Sequence, residues 1–244
     1  MDLYKLLLCD GDGFLFDSVG LHYRAEMDFL REAGVVDPQG LVDKHKSQLK
    51  PLFGMPARYT LPVIAQLAGI SLPGDFLEYL ENKKISLFTK KLKPTDGVFD
   101  FLSFPHYRYC VVSSSSKRLV ECSLDVTGIG RFIEAVFSVE DVVRGKPAPD
   151  IFQLAMKDMG AQPSECRVYD DAPNGIIGAK DAGISDLAGF CGGSHYAGRT
   201  DEATRKLLKA GAGYVFKNMA EVCSHLSAAQ PELLFSLRAV QNYL

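Results

Sequence analysis

The sequence predicts an α/β protein in which a doubly wound parallel sheet is interrupted by an inserted all-helical domain. Short apolar runs alternate with helical patterns along most of the chain. The apolar runs lack polar alternation, which is typical of parallel strands that are covered on both faces. Between residues 18 and 95, by contrast, there are helical patterns and no convincing strand pattern. This stretch is too long for a simple loop and is therefore interpreted as the insertion.

Composition excludes several other classes of protein. Of the 244 residues, 47% are hydrophobic and 23% are charged, which is the balance of a globular protein with a sizeable core. The net charge of −3 gives no bias toward nucleic acid or an anionic membrane. No apolar stretch approaches the roughly 18 residues of a membrane span, and the first residues do not resemble a signal peptide. Six cysteines without C-x-x-C spacing indicate free thiols, so we expect a cytoplasmic protein.

Six strands are predicted from short apolar runs. They lie at residues 4–9, 109–112, 135–138, 167–169, 187–191 and 214–216. Helical segments separate most of them, and strand–helix alternation of this kind implies right-handed crossovers. The sequence therefore predicts one parallel sheet with helices on both faces.

The helices are predicted from apolar periodicity together with start and stop residues. Residues 150–159 follow Pro149 and end before Gly160, which is the expected order of helix signals. The other predicted helices are 21–33, 59–68, 75–90, 174–182 and 201–210. We expect a sheet domain formed by 1–17 and 96–244, an inserted domain at 18–95, and hinges at 16–18 and 94–97.

Two acids come directly after the first predicted strand. Asp10 and Asp12 stand in an Asp-Gly-Asp-Gly sequence, at the strand end where open α/β sheets bind their ligands. One carboxylate can attack phosphorus, while the other protonates the leaving oxygen and later deprotonates water. Gly11 and Gly13 allow the tight turn that such a loop needs. An acidic turn without any chemistry explains this motif equally well on its own.

A serine run and a lysine follow later strands. Ser114 and Ser115 lie within a run of four serines, whose hydroxyl and backbone N–H groups can hold phosphate oxygens. Lys146 lies between a glycine and a Pro-x-Pro segment, where its ammonium can neutralise a nucleophile and a phosphoryl group. Alone, the serines are also typical of a solvated turn or helix cap, and the lysine of a surface loop.

A second pair of acids, Asp170 and Asp171, follows the fourth predicted strand. Adjacent acids repel each other unless a cation lies among them, and Mg²⁺ prefers carboxylate oxygens. A helix cap explains one of the two acids but not readily both. The four clusters share a position at strand ends and helix starts, which favours a common site.

Taken in order, these segments resemble the motifs of the haloacid dehalogenase (HAD) superfamily, in the subgroup with a helical cap after the first motif. The segments are CDGDGFLFDSVGLHYRA, VVSSSS, GKPAPDIF and VYDDAPNGIIGAKDAG. The similarity covers nearly the whole chain, and an ordered set of four motifs is highly specific. It implies a Rossmann-like core with a helical cap, in agreement with the fold class predicted from periodicity.

The resemblance implies a role for each acid. Asp10 would be the nucleophile and a Mg²⁺ ligand. Asp12 would be the general acid and base, with its backbone carbonyl on the metal. Asp171 would bind the metal directly, and Asp170 either directly or through water.

The phosphoryl group would be held by Lys146 and the hydroxyl of Ser114, with Ser115 beside it. His22 stands where β-phosphoglucomutase keeps a cap histidine, although substrate contact or packing on the first cap helix explains it better. Arg58, in the inserted region, is a further candidate for contact with the substrate.

Three residues depart from the family pattern. Phe14 replaces the usual Thr or Val, Gly11 stands where a larger residue is common, and Ala172 replaces a frequent serine. None of them removes a residue with an implied role. The presence of Asp12 argues against dehalogenation, since that reaction has no alkoxide to protonate.

The sequence therefore predicts a Mg²⁺-dependent HAD-like phosphoric monoester hydrolase that acts on a small phosphorylated metabolite through an aspartyl-phosphate. We expect a monomer that binds neither nucleic acid nor membrane. One alternative is a phosphomutase of the β-phosphoglucomutase type, which must exclude water and return the phosphate to the sugar. The other is a non-catalytic binding protein on the same scaffold, for which Phe14 and Ala172 are the only support.

Overall fold

A computed structural model of the chain describes residues 6–52 and 56–229. Its sheet has six strands: β1 (Leu6–Cys9), β2 (Arg108–Ser113), β3 (Ile133–Ser138), β4 (Cys166–Asp170), β5 (Asp186–Phe190) and β6 (Tyr214–Phe216). All neighbouring strands are parallel, in the spatial order β3-β2-β1-β4-β5-β6. The order reverses between β1 and β4, and the carboxyl ends at such a reversal are where open α/β sheets bind ligands.

The helices of the described residues occupy both faces of the sheet and the inserted region. They are α1 (Val19–Glu32), α2 (Pro38–Lys44), α3 (Lys46–Leu49), α4 (Ala57–Ala68), α5 (Phe76–Lys91), α6 (Val98–Leu102), α7 (Lys117–Thr127), α8 (Asp150–Met159), α9 (Pro173–Asp181), α10 (Thr200–Ala210) and α11 (Met219–Ala229). Short 3₁₀ turns lie at Lys50–Leu52, Ile129–Phe132, Val139–Asp141, Pro163–Glu165 and Ser194–Tyr196.

The predicted doubly wound parallel sheet is confirmed. Each predicted strand overlaps an observed one, although residues 4 and 5 of the first prediction lie outside the described residues. The predicted helices are also present, each within two residues of its predicted start and end. Pro62 does not delay α4, which begins at Ala57 and contains the proline. The short helices α2, α3 and α6 are not predicted, because four to seven residues carry too little periodicity. The longer helices α7 and α11 are not among the predicted ones either.

The strands bury side chains on both faces of the sheet. In β1, Leu7 and Cys9 belong to one apolar cluster, and Leu6 and Leu8 belong to another on the opposite face. Successive side chains of a strand point to opposite faces, so a strand covered on both sides must be apolar throughout. This explains why the apolar runs in the sequence show no alternation.

The inserted helices have an apolar cluster of their own. It includes Phe29 and Leu30 of α1, Leu61 of α4 and Leu80 of α5. The C-terminal end of α5 is different, because Phe88 packs in the cluster that covers one face of the sheet. The insertion therefore has a separate core and also contacts the sheet domain through α5.

The chain enters and leaves the insertion through two adjacent segments. Phe16 pairs with Pro94 in an antiparallel bridge. The N–H of Asp17 donates to the Lys93 carbonyl at 3.0 Å, and the N–H of Thr95 donates to Leu15 at 3.0 Å. The predicted hinges at 16–18 and 94–97 therefore lie side by side, while their motion and the domain boundaries stay predictions.

The structure also bears on the state of the cysteines and on membrane-spanning helices. All six cysteines are free thiols, as expected. Among the helices of the described residues, none has the length and apolar character needed to cross a membrane.

Candidate active site

The loop after β1 lies at the reversal of strand order. The N–H of Asp10 donates to the Tyr169 carbonyl of β4 at 2.8 Å. The carbonyl of Gly11 then accepts from Leu15 at 3.0 Å, which closes a tight turn. Gly13 has a φ of +93°, a conformation that favours glycine. The backbone thus turns sharply and keeps Asp10 at the carboxyl ends of β1 and β4.

Lys146 joins two of the acids. Its ammonium donates to Asp10 Oδ1 at 2.7 Å, to Asp170 Oδ2 at 2.8 Å and to the Val112 carbonyl at 2.8 Å. The exposed fractions of the three charged side chains are 4% for Lys146, 10% for Asp10 and 2% for Asp170. The predicted pairing of this lysine with the nucleophile candidate is therefore present as a buried ion pair.

Burial and neighbouring charges shift the pKa values of Asp10 and Lys146. Burial raises the pKa of Asp10 well above its usual value, and Asp170 and Asp171 raise it further, while Lys146 opposes them. Burial would lower the pKa of Lys146, but the charges of Asp10 and Asp170 raise it above that of a free lysine. The ammonium therefore stays charged, and the carboxylates carry an excess of negative charge.

Residues of the loop after β5 contact Asp171. Its Oδ2 lies 3.0 Å from His195 Nε2, and its backbone carbonyl accepts from the Tyr196 hydroxyl at 2.7 Å. Burial raises the pKa of Asp171 to about 6, although the hydrogen bond from His195 lowers it and Asp170 raises it. A Cβ atom at Gly13 would collide with Asp171 Oδ2, so only glycine leaves room for this carboxylate.

Asp12 has a separate set of partners. Its Oδ1 accepts from the Ser18 hydroxyl at 2.5 Å and lies 2.9 Å from His22 Nε2. Its Oδ2 accepts from the Ser115 hydroxyl at 2.6 Å. Burial would raise the pKa of Asp12, but the charge and hydrogen bond of His22, together with the hydrogen bonds of Ser115 and Ser18, lower this pKa below its ordinary value.

The four serines after β2 have different environments. Ser113 is buried, and its hydroxyl accepts from the Ser115 N–H at 3.0 Å. Ser114 is exposed at the end of the strand. Ser116 is the N-cap of α7, and its hydroxyl also contacts Glu81 of α5. Ser115 is thus engaged with Asp12 here, and Ser114 is the serine left open to a ligand.

The two candidates from the insertion differ in position. The His22 ring contacts Asp12 and also packs edge-to-face on Phe88, with ring centroids 5.1 Å apart. The packing expected for His22 is therefore present, and its contact with substrate stays a prediction. Arg58 is exposed in the first turn of α4, and within residues 6–52 and 56–229 it has no hydrogen bond or ion pair. The structure does not bring Arg58 to the acids, and its role stays a prediction.

The departures from the family pattern have local explanations in two cases. Phe14 is fully buried and stacks on Tyr169, with ring centroids 5.1 Å apart, beneath the loop that carries Asp10. Ala172 cannot cap α9 with its side chain, but its N–H donates to Asp170 Oδ1 at 2.9 Å. The Asp170 carboxylate thus occupies the start of the helix that a serine often caps.

Several residues of the site were not singled out from the sequence. Ser18 precedes α1, and His195 and Tyr196 lie in the loop after β5. The position of the last two at the carboxyl end of a central strand is a usable signal. No spacing rule, however, indicates that an isolated histidine there contacts an acid after β4.

Three carboxylates form a group that could hold a metal ion. One oxygen each of Asp10, Asp170 and Asp171 lies within 4.8 Å of the others, and all three residues are buried. Hard divalent cations such as Mg²⁺ take ligands of this kind. One lysine cannot balance three acids, so the donor set and its charge fit a divalent cation.

The sequence is similar to that of a known protein family and of named phosphatases. A family model described as haloacid dehalogenase-like hydrolase matches residues 4–183. The fructose-1-phosphate phosphatase YqaB of Escherichia coli is 29% identical over 185 residues, which is 74% of this chain and 94% of that protein. The validoxylamine A 7'-phosphate phosphatase of Streptomyces hygroscopicus is 29% identical over 195 residues, 78% of this chain and 85% of its own.

A solved structure shows the same fold. A conserved haloacid dehalogenase-like protein of unknown function from Agrobacterium tumefaciens superimposes with a TM-score of 0.73 at 28% identity, covering 93% of this chain and 99% of that one. The predicted enzyme class, a HAD-like phosphoric monoester hydrolase, is confirmed by the family match and by relatives that are named phosphatases. The chain belongs to the haloacid dehalogenase-like hydrolase family.

Proposed function

We propose that this enzyme is a Mg²⁺-dependent phosphatase that hydrolyses a small phosphorylated metabolite, with Asp10 as the nucleophile. The observation that carries the proposal is the buried group of Asp10, Asp170 and Asp171 around Lys146, beside a differently held Asp12. Two carboxylates kept in distinct environments can serve as nucleophile and as general acid.

Asp10, Asp170 and Asp171 would hold the metal through their carboxylates, and Asp12 through its backbone carbonyl. When bound, Mg²⁺ would offset the charge of the acids and of the transferring phosphoryl oxygens. The raised pKa values of Asp10 and Asp171 are consistent with a site that has an excess of negative charge. Hydrogen bonds from His195 and Ala172 would keep the Asp171 and Asp170 carboxylates oriented.

The reaction has two steps on the side chains of the protein. A carboxylate oxygen of Asp10 attacks phosphorus, the bond from phosphorus to the ester oxygen breaks, and Asp12 gives its proton to that oxygen. Asp12 then accepts a proton from water, which attacks the aspartyl-phosphate and releases inorganic phosphate and the Asp10 carboxylate. No net proton or electron is taken from the enzyme.

Lys146 and the serine run would bind the phosphoryl group. The ammonium of Lys146 stays charged and already contacts Asp10, so it would stabilise negative charge at the attacked phosphorus. Ser114 is the serine with an exposed position at the end of β2. Ser115 would not bind the phosphoryl group in the same way, because its hydroxyl donates to Asp12 and orients that carboxylate.

A phosphorylated sugar or sugar-like alcohol is the proposed class of substrate. The relatives named above act, by name, on fructose 1-phosphate and on validoxylamine A 7'-phosphate. His22 contacts Asp12 from the first helix of the insertion, so substituents of the leaving group would meet this helix. A contact of Arg58 with the substrate stays a prediction. A cytoplasmic location and a monomeric state stay predictions.

The test is phosphate release by the purified full chain. We expect turnover of p-nitrophenyl phosphate and of some members of a sugar-phosphate panel with Mg²⁺, and none with excess EDTA. Asp10→Asn should abolish release, while Asp158→Asn, on the surface of α8, should not. Full activity without a divalent cation or in Asp10→Asn would refute the proposal. Interconversion of isomers without net phosphate release would favour the phosphomutase alternative.

A further inference from the structure

The loop after β5 makes three consecutive contacts with the site. The Ser194 hydroxyl donates to Asp17 Oδ1 at 2.5 Å, in the segment that enters the insertion. His195 Nε2 lies 3.0 Å from Asp171 Oδ2, and the Tyr196 hydroxyl donates to the Asp171 carbonyl at 2.7 Å. A segment that is outside the four family motifs thus holds both the side chain and the backbone of one acid.

Glycines allow the His195 ring to reach this position. A Cβ atom at Gly193 would lie 2.6 Å from His195 Cε1 and 2.8 Å from Nδ1, closer than real Cβ contacts. A Cβ atom at Gly13 would collide with Asp171 and would lie 3.1 Å from His195 Cε1. The ring and the carboxylate therefore pack together in a space that two residues without side chains leave open.

The contact has a definite donor and acceptor. Asp171 accepts, so Nε2 carries the hydrogen. The other ring nitrogen, Nδ1, is buried and has no hydrogen-bond partner in the described part of the chain. In the described part of the chain, the polar contact of the His195 ring is thus the one to Asp171. That bond uses one carboxylate oxygen and leaves Asp171 a second oxygen for another ligand.

We propose that His195 is a positioning residue, which fixes the Asp171 carboxylate in the orientation that binds the divalent cation. The residue acts through Asp171 and not on the substrate. Ser194 and Tyr196 hold the loop in register against the site, so that the ring is not free to turn away. The inference rests on the proposed function, because it assumes that Asp171 is a metal ligand.

The expected loss of metal affinity on removing His195 can be estimated from other metal sites. Groups that hydrogen-bond to metal ligands typically change metal affinity or activity by about 10–100-fold when they are removed. A histidine that only filled space would affect stability but would leave the affinity of the folded protein for metal unchanged. Metal affinity without substrate therefore separates the two roles.

The experiment measures Mn²⁺ binding to the full chain without substrate, from the electron paramagnetic resonance signal of the free ion. His195→Leu removes the donor, and His195→Gln places a neutral N–H donor near the position of Nε2. We expect His195→Leu to weaken Mn²⁺ binding about 10–100-fold and His195→Gln to restore most of it. His106→Leu, on an exposed surface residue, should bind as the unchanged protein does. Urea unfolding establishes that each variant is folded.

Two outcomes would overturn the inference alone. One is wild-type affinity in folded His195→Leu. The other is an equal loss in folded His195→Leu and His195→Gln, because the donor would then not matter. If the unchanged protein binds Mn²⁺ no better than Asp171→Asn does, the metal site of the proposed function fails as well, so the two failures are distinguishable.

Discussion

Asp10 and Asp12 are two residues apart on one loop, and the structure gives them opposite surroundings. Asp10 lies among two other buried acids and one lysine, all from the sheet domain. Asp12 lies among hydroxyls and an imidazole, from Ser18, His22 and Ser115. The pKa of Asp10 is raised by burial and by its acidic neighbours, whereas that of Asp12 is lowered by its donors.

The difference shows that position in a motif does not determine what a carboxylate can do. The group around Asp10 has three acids and only one lysine, and this excess of negative charge suits a metal ion and a nucleophile that bears a phosphoryl group. The group around Asp12 is rich in hydrogen-bond donors, which keep its carboxylate ionised and suit it as a proton acceptor. To act as the general acid as well, Asp12 would have to be protonated before the leaving oxygen departs.

The two groups also differ in which part of the chain builds them. Among the described residues, the partners of Asp10 follow strands of the sheet or lie near them, whereas His22 belongs to α1 of the insertion. Movement of the insertion would therefore change the surroundings of Asp12 and leave those of Asp10 in place.

The largest expected effect comes from comparing Asp10→Asn with Asp12→Asn. Asp10→Asn should lower the rate of the first turnover at least about 10⁴-fold on any ester, since it removes the attacking atom. Asp12→Asn should cost about 10²–10⁴-fold on a sugar phosphate, whose alkoxide needs a proton. It should cost much less on p-nitrophenyl phosphate, whose phenolate leaves without one.

Rapid-quench measurement of a single turnover on both esters provides the check. Asp158→Asn is a matched control, because that acid lies on an exposed surface of α8. If Asp12→Asn lost equal activity on the two esters, the division of roles between the acids would be wrong.

The next effect concerns the charge excess around Asp10. Lys146→Met leaves buried acids without their cation and should lower the free energy of unfolding by about 3–5 kcal/mol near pH 8. The pKa of Asp10 is already raised, so above its unfolded pKa of about 3.9 this carboxyl binds more protons in the folded state, and its contribution to stability falls as pH rises. The deficit of Lys146→Met should therefore shrink toward pH 5.

Urea unfolding at pH 8 and pH 5 measures both quantities. Lys157→Met replaces an exposed lysine of α8 and should unfold as the unchanged protein does at either pH. A deficit of Lys146→Met that stayed constant between the two pH values would contradict the charge imbalance.

A smaller loss of stability is expected when the contact between His22 and Asp12 is removed. His22→Phe keeps a ring against Phe88 and removes the nitrogen that contacts Asp12. A carboxyl whose pKa is lowered on folding stabilises the protein above its unfolded pKa of about 3.9, and this stabilisation is lost as pH falls through the folded pKa. His22→Phe should therefore destabilise the protein by about 1–2 kcal/mol at pH 7, and this deficit should begin to shrink only as the pH falls below the unfolded pKa.

Carbon-13 NMR of the aspartate carboxyls should also show the pKa of Asp12 rising toward that of a free aspartate in this variant. His106→Phe, on the surface, is the control that should leave it unchanged. An unaltered Asp12 titration in His22→Phe would mean that the contact does not act on the carboxyl.

Most of this site could be predicted from the sequence, for a geometrical reason. Asp10, Asp170 and Asp171 follow strands whose apolar runs are unambiguous, and parallel strands end at one edge of the sheet. Lys146 was identified because a rigid Pro-x-Pro segment follows it. Once the strands are assigned, the residues that follow them can therefore be expected to lie close together at that edge of the sheet.

The partners within loops could not be predicted in the same way. The choice between Ser114 and Ser115 depends on how one turn directs each hydroxyl, and His195 reaches Asp171 only because Gly13 and Gly193 leave space. Periodicity carries no information about such contacts. For His22, the sequence offers a mutase histidine, substrate contact or packing; the structure shows packing on Phe88 and a contact with Asp12 that the sequence does not indicate.

The smallest effect is expected where α5 of the insertion contacts α7 of the sheet domain. The Glu81 carboxylate accepts from Ser116 and from Arg118, the latter at 3.3 Å. Exposed ion pairs contribute only about 0.2–1 kcal/mol, so Glu81→Gln should raise KM by no more than about threefold and leave the Asp12 pKa unchanged. Glu202→Gln, in a pair remote from the site, should alter neither. A change in the Asp12 pKa of Glu81→Gln as large as that of His22→Phe would show that this contact, and not His22, sets the surroundings of Asp12.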